Sequence, residues 1–201
     1  GLQKLDTGVV TEALLANLRA DLVEAEPDPG NRYSVPWATG TTGIGYDTKV
    51  FDEPPTWDVF LDPAHAGKTT LLDERREAFA AALFSLGEDP NATQAATIDA
   101  AAAQLEKMVG VIDGFDSATY LDRFRAGDLV AVQGYSSDVL QAREDNPDLA
   151  FTIPEAGGTR WTDLLCIPQD APNPEAANRF IAFYLDPSVS ARNAEANQVD
   201  T

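Results

Sequence analysis

The chain has 201 residues, with 14 Lys plus Arg against 33 Asp plus Glu and a net charge of −19 at neutral pH, which excludes a nucleic-acid binder built on a basic face. With 44% hydrophobic and 8% aromatic residues and no long polar tract, it can bury the core of one domain or two small lobes. The single cysteine, Cys166, excludes an intramolecular disulfide and a thiolate-rich metal site.

Thr11 to Ala25 carries Leu14, Leu15, Leu18, Leu22 and Val23 at helical spacing, which predicts one helix, stopped by Pro27 to Gly30. Tyr33 to Ala38 reads as extended. Thr39 to Tyr46 is a run of small and β-branched residues that suits a strand with close backbone approach. A short strand runs through Thr70 to Leu72, and Asp73 is the expected N-cap of a helix from about Glu74 to Leu86, ended by Gly87. An alanine-rich helix spans about Ala95 to Lys107, and another lies near Thr119 to Ala126. Then come a strand Leu129 to Gln133, a helix Asp138 to Glu144 and a strand Leu149 to Ile153. Trp161 to Ile167 reads as a strand, which predicts a buried Cys166 acting as a small hydrophobe. Pro174 to Leu185 and Pro187 to Asn197 are helices with an allowed early proline. Alternating helices and strands predict α/β layering.

No window approaches the roughly 18 to 20 consecutive apolar residues of a membrane span. The opening Gly1 to Asp6 lacks Met and a signal segment and reads as the middle of a longer product.

Enzyme chemistry finds no support. The one histidine, His65, has no HxxxH partner and reads as a surface loop residue, and Thr39 to Gly45 lacks a Walker lysine and GxGxxG spacing. No cofactor and no metal are expected. A cage of acids and aromatics for a small cation is open, because carboxylates neutralise ammonium groups and ring faces hold alkyl stems. Glu74 and Glu77 are three apart on a helix start, Tyr135 and Asp138 bracket a strand-to-helix turn, and Trp161 and Asp163 share one side of a strand. Each has a plainer explanation: helix dipoles favour early acids, Asp138 suits an N-cap, and a lone Trp suits a core.

Several stretches together carry a family resemblance. They are Tyr33 to Trp37 with Thr41 to Tyr46, Asp62 to Lys68, Ala126 to Asp128 with Gly134 to Asp138, Ile153 to Gly158 running into Trp161 to Asp163, and Phe180 to Val189. In order and spacing the chain resembles the bacterial spermidine/putrescine periplasmic solute-binding proteins over nearly all its length. The resemblance implies an α/β, two-lobed, periplasmic-binding-protein-like (type II) architecture, with a polyamine held between lobes and delivered to an ABC importer. Residues 1–49 and 159–201 would belong to the first lobe and 50–158 to the second. The family's opening βα units and C-terminal tail would be absent, leaving the first lobe incomplete.

Carried over by position, Glu77 falls on a glutamate that salt-bridges an amine, and Glu74 falls where spermidine-preferring members use an aspartate. Tyr135 replaces an aromatic that stacks on the methylene chain, Asp138 matches an acid of putrescine-type members, and Ser117 matches a polar contact. Trp161 and Asp163 match the group's clearest aromatic and acid, whereas Val199 stands where a tyrosine is usual. The resemblance thus implies a non-enzymatic importer component for putrescine or spermidine. It would be a monomer, partnered by the importer's membrane subunits and not by nucleic acid. It would sit in the periplasm, or outside the cell on a lipid anchor carried by a missing N-terminal segment.

Two alternatives stay open at this level. One is a same-fold binder of another small amine or amino-acid derivative, favoured if Arg75, Arg76 or Arg160 enters the site. The other is a non-transport interaction module with a degenerate cleft.

Overall fold

The computed structural model describes residues 1–23 and 27–199, which form two units: residues 1–23 and 27–40 with 161–199, and residues 41–160. Strand β1, Ser34–Asp47, starts in the first unit and belongs to the second from Thr41 onward. Its composition, Thr39 to Gly45 above all, supplies the β-branched and small residues the ladder needs.

In the second unit the helices and strands alternate as β2 (Thr69–Leu71), α3 (Arg75–Leu86), α4 (Ala95–Val109) and β3 (Gly114–Phe115), followed by α5 (Tyr120–Ala126), β4 (Ala131–Tyr135), α6 (Ser136–Asp145) and β5 (Leu149–Thr152). The sheet order is β3-β2-β4-β1-β5. Strands β3, β2 and β4 are mutually parallel, with Thr70 beside Gly114 and Val132, while β1 runs antiparallel to β4 and β5, with Thr42 opposite Tyr135. Two cores cover the sheet. One gathers Ile44, Trp57, Phe60, Leu71, Leu83 and Met108, and the other Tyr120, Phe124, Leu129, Val132 and Val139. Trp57 is satisfied as well as buried, because its indole N–H donates to the Gly157 carbonyl at 2.9 Å.

The first unit holds two short helices, α1 (Glu12–Leu15) and α2 (Ala20–Val23), strand β6 (Thr159–Cys166, from Trp161 onward), and helices α7 (Pro174–Tyr184) and α8 (Pro187–Asn197). β6 pairs with β1. Leu5, Val10, Val35, Ile167, Ile181 and Leu185 make its core. Asp186 caps α8 by accepting from the Ser188 N–H and hydroxyl at 2.8 and 2.6 Å.

Several expectations need correction. The helix from Thr11 is broken after Leu15, because Asn17 turns its amide to the Leu185 carbonyl at 3.1 Å and tertiary bonding overrides periodicity. The end of that predicted helix, residues 24–26, lies outside the described residues, as does the end of the chain from 200. Cys166 is exposed, since the strand's alternation puts Leu165 against the core and turns Cys166 the other way. The strand expected at Leu129 is displaced by two residues: Leu129 is fully buried, but the ladder starts at Ala131. His65 is half-buried in a 3₁₀ turn, Pro63–His65, with its ring 4.8 Å from that of Phe51. Among the described residues no helix is long and apolar enough to cross a membrane.

Candidate functional site

Parallel strands aim their C-terminal ends the same way, and the segments after β2, β3 and β4 therefore emerge on one edge of the second unit's sheet. Open α/β sheets bind ligands at that edge. Glu74 and Glu77 follow β2, Ser117 follows β3, and Tyr135 and Asp138 end β4 and open α6. Topology thus brings five of the seven sequence-derived candidates to a single edge.

Glu74, not Asp73, is the N-cap of α3. With φ −137° and ψ 120° it stays extended, and its Oε2 accepts from the N–H groups of Arg76 at 2.8 Å and Glu77 at 3.0 Å. The cap satisfies two donors that the helix start leaves open. One carboxylate oxygen, Oε2, makes both of these bonds.

Glu77 is half-buried and faces a different environment. The Thr159 hydroxyl lies 3.0 and 2.9 Å from its two oxygens and donates to the carboxylate. Burial holds its carboxyl above the ordinary value of 4.5, opposed by hydrogen bonds from Thr159 and Thr42 that favour the charged form. The backbone beneath it is anchored by the fully buried Gln133, whose amide donates to the Glu77 carbonyl at 2.8 Å and accepts from the Leu72 N–H at 3.1 Å. Gln133 therefore fixes the end of β2 and the first turn of α3 together. Sequence reading missed it, because a glutamine in a strand carries no pattern that separates it from an exposed polar residue.

Asp138 is the third residue of α6 and not its N-cap; Tyr135 occupies the cap position without capping through its side chain. The Asp138 carboxylate accepts from the Tyr120 hydroxyl at 2.7 Å, and the Ser137 hydroxyl lies 3.4 Å from its other oxygen. The Tyr120 oxygen in turn lies 3.5 Å from the Tyr135 N–H. Tyr120 thus joins two of the sequence-derived candidates, although it shows in the sequence only as one aromatic at a helix start.

Ser117 is exposed in the loop after β3. Asp116 shapes that loop by accepting from the N–H groups of Ala118 and Thr119, both at 2.8 Å, and from the Thr119 hydroxyl at 2.6 Å. These bonds outweigh burial and hold the Asp116 carboxyl below its ordinary range. A cavity of about 580 Å³ opens beside this edge, with Asp73, Glu74, Arg75 and Arg76 around a floor that includes Phe79 and Phe115. Of the sequence-derived candidates, Glu74 lines it. Two of the three arginines that prompted the zwitterion alternative, Arg75 and Arg76, line it too.

The remaining candidates, Trp161 and Asp163, belong to the first unit and share one side of β6, with Trp161 half-buried and Asp163 exposed. The Trp161 carbonyl accepts from the Thr39 hydroxyl at 2.6 Å, and the Thr162 hydroxyl is 3.2 Å from that of Thr39. The indole packs against Gly40, where no β-carbon intervenes. Val199, just past the end of α8, donates its N–H to the Ala194 carbonyl at 3.2 Å.

The second unit thus carries carboxylates at the C-terminal edge of its parallel strands, and the first unit carries an aromatic two residues from a further acid. Residues 8–199 match the model of the bacterial extracellular solute-binding proteins, and the chain belongs to that family. It is 34% identical over 205 residues to the putrescine/cadaverine-binding protein of Pseudomonas aeruginosa, covering 94% of this chain and 57% of that protein. It is 31% identical over 196 residues to the spermidine/putrescine-binding periplasmic protein of Escherichia coli, covering 96% of this chain and 56% of that protein.

Among solved structures, a putative spermidine/putrescine ABC transporter protein from Listeria monocytogenes superposes with a TM-score of 0.90 at 29% identity, over 98% of this chain and 61% of the other. The TpPotD lipoprotein of Treponema pallidum gives 0.87 at 27% identity, over 98% and 63%. The two-lobed periplasmic-binding-protein class expected from the sequence is therefore the fold of its relatives. The chain spans a little over half the length of the curated relatives it matches.

Proposed function

We propose that this protein is the solute-binding component of an ABC importer and takes a linear polyamine, putrescine or spermidine, outside the cytoplasmic membrane. The observation that carries this reading is the pair Glu77 and Asp138. Both are half-buried carboxylates supported by hydroxyl donors, and among the described residues neither has an ion-pair partner. A carboxylate held out of water without a cation favours any ligand that brings one. The names of the relatives point to the same ligand class.

In this reading Glu77, Glu74 and Asp138 neutralise ammonium groups, Tyr135 lies along the methylenes, and Ser117 adds a polar contact. Trp161 and Asp163 supply a second aromatic and a second acid from the first unit. Ligand binding selects the arrangement in which both units reach the same molecule. Delivery is to the importer's membrane subunits. The protein works as a monomer in the periplasm, or outside the cell on a lipid anchor.

Isothermal titration of putrescine and spermidine tests this, using the 201-residue chain and a chimera extended to the relatives' length with segments of the Pseudomonas aeruginosa protein. Saturable binding that is lost in Asp163→Asn supports the proposal. No heat in either form overturns it.

A second reading rests on Arg75 and Arg76 lining the same cavity as Asp73 and Glu74. Guanidinium beside carboxylate suits an amine that also carries a carboxylate. γ-Aminobutyrate in the same titration separates the two, since a polyamine site gives it no saturable heat.

A further inference from the structure

Tyr120 is 2% exposed, in the core beneath α6, yet its hydroxyl reaches outward to Asp138 Oδ2 at 2.7 Å. We propose that Tyr120 is a positioning residue for amine recognition: it aims the Asp138 carboxylate without touching the ligand itself. The inference rests on the polyamine reading above, in which Asp138 meets an ammonium group.

Three observations support it. The bond is short and made to an ionised acceptor, the stronger kind of hydrogen bond. The Tyr120 ring is fixed by the second core, with Phe124, Leu129 and Val139, so the hydroxyl has no freedom to follow a wandering carboxylate. The same oxygen lies 3.5 Å from the Tyr135 N–H, which ties the acid to the residue proposed to cover the methylenes. Burial and the neighbouring Asp138 charge also hold the phenol well above its ordinary range.

Few other charges reach Asp138. From α5, Arg123 pairs with Asp113 and Arg125 with Asp122 and Asp145. From β4 comes Tyr135, and β5 (Leu149–Thr152) has no titratable side chain. Supporting bonds from a rigid neighbour give a site its precision, as in metal centres where outer partners orient the ligands.

The test is a double-mutant cycle with Tyr120→Phe, which keeps the ring and removes the hydroxyl, and Asp138→Asn. Two quantities are read: the affinity for putrescine, and the position of the Asp138 ¹³Cγ resonance in the ligand-free protein at neutral pH. Tyr120→Phe is expected to weaken putrescine about tenfold, the scale of one charged hydrogen bond. It should have no further effect once Asp138 is Asn, and should displace the Asp138 carboxyl resonance as its hydrogen bond is lost. An equal loss in both backgrounds, or an unmoved resonance, overturns the proposal. Should the native protein bind no amine, the polyamine reading fails, and the carboxyl resonance still decides whether Tyr120 holds Asp138.

Discussion

The indole of Trp161 occupies the space that a side chain at residue 40 would need: a β-carbon on Gly40 would lie 2.4 Å from its Cζ2 and 2.7 Å from its Cη2. Those distances are far inside van der Waals contact, so even alanine must push the ring away. Gly40→Ala is expected to leave the fold intact, because the strand's φ and ψ suit any residue, while rotating the aromatic proposed to cover the ligand. Trp161 fluorescence should shift in the free protein, and putrescine affinity should fall by about tenfold or more. An unchanged emission spectrum with unchanged affinity would remove the indole from the site.

Glycines in Thr39 to Gly45 signal close approach in the sequence, and that much was legible; which ring approaches was not, because Trp161 lies about 120 residues away in the chain. The same limit governs the acids. Spacing puts Glu74 and Glu77 on one helix start, and the structure agrees, yet their roles diverge through partners that local pattern does not contain. Glu74 is drawn into capping by the dihedral angles of its own backbone. Glu77 is perturbed by Thr159, which is 82 residues away. Residue pattern singled out six of the seven candidates and the family resemblance added Ser117, but neither pointed to Gln133 or Tyr120, whose importance lies in what they hold and not in a ligand they touch.

Glu77 should give the protein a pH signature. Its folded carboxyl lies above the ordinary value of 4.5, with burial as the main cause, so the folded chain holds this proton more tightly than the unfolded chain. Its contribution to stability is therefore greatest below the unfolded value and falls as pH rises through the folded one. Glu77→Gln should raise the melting temperature at neutral pH and flatten that fall, while weakening amine binding. An ammonium ligand favours the charged form, so native affinity should decline as pH drops into the same window. Titration heats there should depend on buffer ionisation as a proton is released. Heats independent of buffer would show that Glu77 does not meet the cation.

Asp163 tests whether the first unit contributes to the proposed site. It is exposed in the free protein and has no part in the packing around Leu5, Val35 and Ile181, so Asp163→Asn should leave stability within about 0.5 kcal/mol. If its carboxylate pairs with a desolvated ammonium group, binding should lose about 2 kcal/mol or more, mostly through faster release. Stopped-flow displacement separates the rates. A loss confined to association would mark Asp163 as a steering charge at the rim.

Gln133 has the opposite profile. It touches no proposed ligand, but its amide is the partner of two backbone groups, the buried Leu72 N–H and the part-buried Glu77 carbonyl. Gln133→Leu keeps the volume and strands the Leu72 N–H. An unsatisfied buried group costs about 1–3 kcal/mol, so urea denaturation should show a loss of about 2 kcal/mol with an unchanged m-value. Because the lost bonds pin the first turn of α3, putrescine affinity should fall as well. Gln133→Glu, which places an unpaired carboxyl at a fully buried position, should recover neither the stability nor the affinity. Recovery of both together would place the anchoring of Glu77 elsewhere.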